Sequence, residues 1–198
     1  MDIQQAEQDL QLIRQVMEQS ARYTHFSGLS GAISGGLALA GTGATYWVYG
    51  NTALSGQPLW YVLIWSVVLV ASITQDLFLA QRKARRSGQS IWVPATYRLI
   101  KAVLPGVYIA ALLSAVALYD KAPDVIPAVW ALGYGTALCA AGLITVREVS
   151  IYGIVQLVTG TIGLFVMSKP PYSLALLALT FGIYQIIFGI VVTRRYGS

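Results

Sequence analysis

Six stretches of the chain, near 29–50, 59–80, 99–119, 125–146, 149–168 and 172–193, are almost unbroken apolar text. A helix needs about 20 apolar residues to cross the roughly 30 Å of hydrocarbon in a bilayer, and all six meet that length. The links at 51–58, 120–124 and 168–171 are short and rich in turn residues. Helices joined so briefly are antiparallel neighbours. The expected fold class is therefore all-α: a polytopic membrane protein of six transmembrane helices in three hairpins, spanning 27–198 and preceded by a cytoplasmic amphipathic helix at 1–26. A soluble fold fails for want of cover. Only 11% of the residues are charged and 56% are hydrophobic, against about 25% charged in ordinary soluble domains. The mean hydropathy is +0.63.

The net charge of +5 does not point to nucleic acid, because the basic residues cluster at the ends of apolar runs. One side of the expected bundle collects Arg14, Arg22, Arg82, Lys83, Arg85, Arg86, Arg98, Lys101, Arg147, Arg194 and Arg195; the other has Lys121 and Lys169. Eleven against two puts the first side, and with it both termini, in the cytoplasm. The opening Met1-Asp2-Ile3-Gln4-Gln5 carries an acid where a secretory signal has its basic region. No lipidation motif is present.

Ile3, Ala6, Leu10, Ile13 and Met17 make one apolar stripe on a helix. Residues 2–22 carry Asp2, Glu7, Asp9 and Glu18 against Arg14 and Arg22, a balance of −2. The cytoplasmic leaflet is itself negative, so the stripe is expected to pack on protein, within the bundle or between subunits. The loop Gln81-Arg82-Lys83-Ala84-Arg85-Arg86 is the strongest basic patch, an anchor for the second span and a contact for anionic headgroups. The segment 91–97 reads as an interfacial elbow, and Pro105 as a kink in the third span.

A shift of 47 residues lays the third and fourth spans over the fifth and sixth without a gap. Gly106 then matches Gly153, Gly135 matches Gly182, Gly142 matches Gly189, Pro123 matches Pro170 and Arg147 matches Arg194. This reads as a duplicated helical hairpin in parallel orientation. The pairs Gly135/Gly142, Gly153/Gly160 and Gly182/Gly189 each lie seven apart, and Gly31/Gly35 form a GxxxG. Small residues so spaced let helices approach closely, within the bundle or on a self-association face.

Polar groups inside a span are the default place to seek function. Asp76, preceded by Gln75, is the one acid well inside a span; an ion pair with Arg22, Arg82 or Arg147 is the simplest account of it. Gln156 and Gln185 fall at similar depth on expected antiparallel neighbours, so their amides are expected to meet. His25, beside Arg22 and Tyr23 at the mouth of the first span, is the chain's one histidine, which excludes a bis-His haem. Cys139 is the one cysteine, which excludes an intramolecular disulfide. No catalytic motif is present, so no enzymatic activity, cofactor or metal is expected.

The run Arg22-Tyr23-Thr24-His25-Phe26-Ser27-Gly28-Leu29-Ser30-Gly31, with Leu179-Thr180-Phe181-Gly182-Ile183-Tyr184-Gln185-Ile186-Ile187-Phe188-Gly189, resembles a family of uncharacterised six-span bacterial inner-membrane proteins. Members of that family often stand beside winged-helix regulators, which implies a membrane-bound regulatory or sensory role and a bacterial inner-membrane location. The glycines from Gly153 to Gly189 also resemble the acid-resistance membrane protein family of glycine-marked hairpins. Neither resemblance supplies a catalytic residue. The expected function is a non-enzymatic module working through protein contacts, with the bilayer and a protein partner or second copy as its partners. A small transporter or lipid-binding protein is the alternative.

Overall fold

The computed structural model describes residues 28–50, 58–86 and 94–196. Among these there is no strand. Helix α1 spans Gly28–Tyr49, α2 Pro58–Arg86 and α3 Pro94–Tyr119; a single 3₁₀ turn at Pro123–Val125 leads into α4, Ile126–Gly142. Helix α5 spans Arg147–Val166. The last rod, α6, runs as an α-helix over Tyr172–Leu177, widens to a π-helix over Ala178–Ile183 and returns to α over Tyr184–Tyr196. The expected amphipathic helix at 1–26, with Arg22 and His25, lies outside the described residues.

Five of these helices are long and apolar enough to cross a membrane: Pro58–Arg85, Thr96–Tyr119, Pro123–Gly142, Arg147–Val166 and Tyr172–Arg195. The fold is that of an all-helical, multi-pass membrane protein. Helix α1 has 22 residues and no charge, but its many glycines, serines and threonines dilute its apolar content.

In hydrocarbon every backbone group must be satisfied internally, and so must every hydroxyl. Thr42, Thr45, Ser114 and Thr180 each donate to the carbonyl four residues earlier, so they sit inside helices without exposing a polar group. The ends are capped locally. Helix α3 stops at a Schellman turn: Lys121 takes the left-handed position (φ 57°), its N–H reaches the Leu118 carbonyl and the Ala122 N–H reaches Ala117. The Tyr49 hydroxyl accepts the Tyr61 N–H at 3.1 Å, so the end of α1 caps the first turn of α2.

The helices assort into two groups. Helix α1 is flanked by α2 and α6, and α4 by α3 and α5; the start of α6 also touches α4. Glycine governs the tight seams. A Cβ on Gly189 would stand 2.5 Å from the Gly28 carbonyl oxygen, and one on Gly35 would stand 2.7 Å from that of Gly182. Across α4 and α5, a Cβ on Gly135 would stand 2.9 Å from the Gly153 oxygen, while one on Gly142 would strike Ser150 and one on Gly160 Ala131. Gly31 faces Gly189, so the GxxxG of α1 is occupied by α6 of the same chain.

Several boundaries differ from expectation. The basic run 81–86 is not a loop but the last turns of α2, which extends to Arg86. Helix α4 stops at Gly142, short of the expected 146, because residues 143–146 form the turn into α5. Helix α3 starts at Pro94, a residue suited to a first turn, and continues unbroken through Pro105.

Candidate functional site

The polar residues of the bundle gather in two clusters. The first is centred on Gln156, whose side chain is 0% exposed. Its cause is the π-helical stretch of α6. There the Tyr184 N–H bonds to the Leu179 carbonyl, five residues back, so the Thr180 carbonyl loses its ordinary donor. Gln156 of α5 supplies the replacement, with Nε2 donating to the Thr180 oxygen at 2.9 Å and to the Tyr152 hydroxyl at 2.8 Å. Tyr152 in turn donates to Gln185 Oε1 at 2.5 Å. The two glutamine amides are thus linked through Tyr152 rather than directly, which corrects the expected amide pair. Tyr152 stacks on Phe188 with centroids 4.8 Å apart, and Tyr134 meets its edge at 6.2 Å. The Tyr134 hydroxyl also lies against Gln185. Gln156 Oε1 is buried with no donor.

The second cluster joins α1 and α2. Ser30 and Ser34, four residues apart on α1, face Gln75 and Asp76. Gln75 Nε2 donates to Ser34 Oγ at 2.7 Å and to the Ser30 backbone oxygen at 3.2 Å, and it also touches Asp76 Oδ1. Ser34 Oγ lies 3.4 Å from the same carboxylate oxygen. No described arginine pairs with Asp76, which corrects the expected ion pair as far as Arg82 and Arg147 are concerned. The reason is reach. Arg82 stands six residues along α2, about 9 Å at 1.5 Å per residue, whereas the serines stand directly opposite.

Among the described residues Glu148 pairs with Arg195, tying the start of α5 to the end of α6. At the other end of the bundle Ser173 donates to Asp124 at 2.9 Å, joining α6 to the turn before α4. Arg82, Arg85 and Arg147 are exposed and Lys83 is half-buried. Cys139 lies beside the Ser150 carbonyl at the α4–α5 seam.

Sequence reasoning singled out Asp76, Gln156 and Gln185 but missed the groups that bind them. The i, i+4 pairs Ser30/Ser34 and Tyr152/Gln156 were the available signal, since each puts two polar groups on one face of an apolar helix. The π-helical register of α6, by contrast, has no marker in its apolar text.

Comparisons with protein-family models, with curated proteins and with solved structures found no match. The class defined by fold and composition is therefore the level at which the chain is identified: a helical, multi-pass membrane protein.

Proposed function

We propose that the chain is a six-span protein of a bacterial inner membrane, with both termini cytoplasmic, acting without catalysis as a regulatory or sensory module or as a subunit of a membrane complex. The carrying observation is the use made of its deepest polar side chains. Gln156, Tyr152 and Gln185 bind the Thr180 carbonyl and one another across α5 and α6. They hold helices together, as interhelical polar groups in membranes do, and Gln156 is closed to any ligand.

Helix α1 is counted as the sixth span because 22 uncharged residues cover about 33 Å as a helix. It is also the helix that α2 and α6 both pack against. The glycine contacts favour the duplicated hairpin as well. Gly135 and Gly142 of α4 receive α5, and their counterparts Gly182 and Gly189 of α6 receive α1. Each copy's second helix offers the same pair of notches to a neighbouring helix. A transporter or lipid-binding role is favoured by one feature, the acid at Asp76.

Two measurements test this reading. Mild-detergent purification from the native host, followed by mass spectrometry, is expected to return a stoichiometric protein partner. A homo-oligomer holding a retained small molecule would instead favour the transporter or lipid-binding role. Topology is checked separately: a reporter fused after Ser198 is expected to read cytoplasmic and one placed within 51–58 external. The reverse pattern would overturn the orientation.

A further inference from the structure

The α1–α2 cluster is crowded with acceptors. The two amide hydrogens of Gln75 face three acceptors: the Ser30 backbone oxygen, Ser34 Oγ and Asp76 Oδ1. The other end of the same amide, Oε1, is buried and accepts nothing. The Asp76 carboxylate is hydrogen-bonded by Ser30, Ser34 and Gln75, all neutral donors, and makes no ion pair among the described residues.

Among the described residues no charge on the neighbouring elements offsets it. Helix α1 carries no acid, lysine, arginine or histidine, and its tyrosines, Tyr46 and Tyr49, lie at its far end. Tyr134 of α4 is the titratable group within electrostatic reach from another helix. On α2 itself the nearest charges are Arg82 and Lys83, six and seven residues on. An isolated carboxylate in an apolar layer is costly enough that it takes up a proton instead. A proton on Asp76 removes that charge from the cluster.

We propose that Asp76, with Ser30, Ser34 and Gln75, forms a reversible proton-binding site whose occupancy sets how firmly α2 docks on α1. The proton comes from the aqueous phase on the side of Arg82 and returns to it. Helix α2 is the element such a site can move, because it rests mainly on α1 and its apolar side chains between Val62 and Phe78 are largely exposed. With the proton bound, the cluster is neutral and the seam is closed. With the proton released, the bare charge is drawn along α2 toward Arg82 and the headgroups, and the seam loosens. The inference requires α2 to lie in a membrane but does not depend on the protein-contact reading. A failed partner search leaves it standing.

Asp76 is open on its outer flank, so a membrane-soluble carbodiimide can reach it. Dicyclohexylcarbodiimide adds whole to a protonated carboxyl group, and peptide mass spectrometry locates the adduct. With the full chain in liposomes, the adduct is expected on Asp76. Its rate should fall about ten-fold per pH unit once the carboxyl ionises, whether sodium or choline is the bulk cation. Asp76→Asn should abolish it. Ser34→Ala, which removes one donor to the ionised form, should move the midpoint to higher pH. The melting temperature of the native chain should fall with rising pH while that of Asp76→Asn stays level. Three outcomes would overturn the proposal: no adduct between about pH 5 and pH 9, a rate indifferent to pH, or protection by sodium, which would make the site one for a metal cation.

Discussion

Gly189→Leu is expected to cost about 3 kcal/mol of stability, the upper part of the range for overpacking a filled core. The reason is that both neighbours are backbone. A Cβ alone at this position meets the Gly28 oxygen at 2.5 Å and the Ala32 nitrogen at 2.6 Å. No side-chain rotation clears that space, so α1 and α6 must separate, and α2, which leans on α1, goes with them. Gly36 is the control. It lies on α1, the helix against which Gly189 of α6 packs, but nothing stands within 4 Å of its added Cβ, and Gly36→Leu should change stability by no more than about 0.5 kcal/mol. Reversible unfolding in mixed detergent micelles measures both. Equal behaviour of the two variants would show that α1 and α6 are not in the contact described.

Gln156→Leu is expected to destabilise by about 1–2 kcal/mol although it replaces a polar group by an apolar one of similar size in an apolar bundle. Hydropathy alone predicts the opposite sign. The substitution removes one liability, the unpartnered Oε1. It creates a larger one, because the Thr180 carbonyl, already without its helical donor, loses the Nε2–H that replaces it. Tyr152→Phe is expected to cost less, since Gln156 keeps its bond to Thr180. The double variant should fall short of the sum, because the two side chains share one hydrogen-bonded chain. Strict additivity, or a gain in stability for Gln156→Leu, would remove the network from the account of how α5 and α6 are joined.

Much of the architecture was legible because the solvent is lipid. A run such as 149–168 has the length of a spanning helix rather than of a barrel strand, and as a helix it satisfies its own backbone; the placement of Arg82, Lys83, Arg85 and Arg147 at helix ends follows from the cost of charge in hydrocarbon. The helical class and the close approach at glycine are consequences of composition and spacing that hold whatever the helices pack against. Which helices meet is different. Short links led to the expectation that consecutive spans pack as hairpins. The structure packs α1 on α2 and α3 on α4 in this way, but it also brings α4 against α5 as closely as any pair and α6 against α1 from the far end of the chain, while α5 and α6 are held chiefly by side chains.

By itself, then, the sequence determined that the chain is helical, which stretches are apolar enough to cross a membrane, and that Asp76, Gln156 and Gln185 are the polar groups needing an explanation. Those conclusions depend on local terms: transfer cost, hydrogen-bond closure and spacing on one helix. Only the tertiary structure decided their partners: Ser30 and Ser34 for Asp76, Tyr152 and the π-helical Thr180 carbonyl for the glutamines, and Arg195 for Glu148. Partner choice depends on helix rotation and register across residues more than 20 positions apart. Apolar side chains of similar size leave many such registers nearly equal in energy, and the choice falls to a few glycine notches and a few hydrogen bonds.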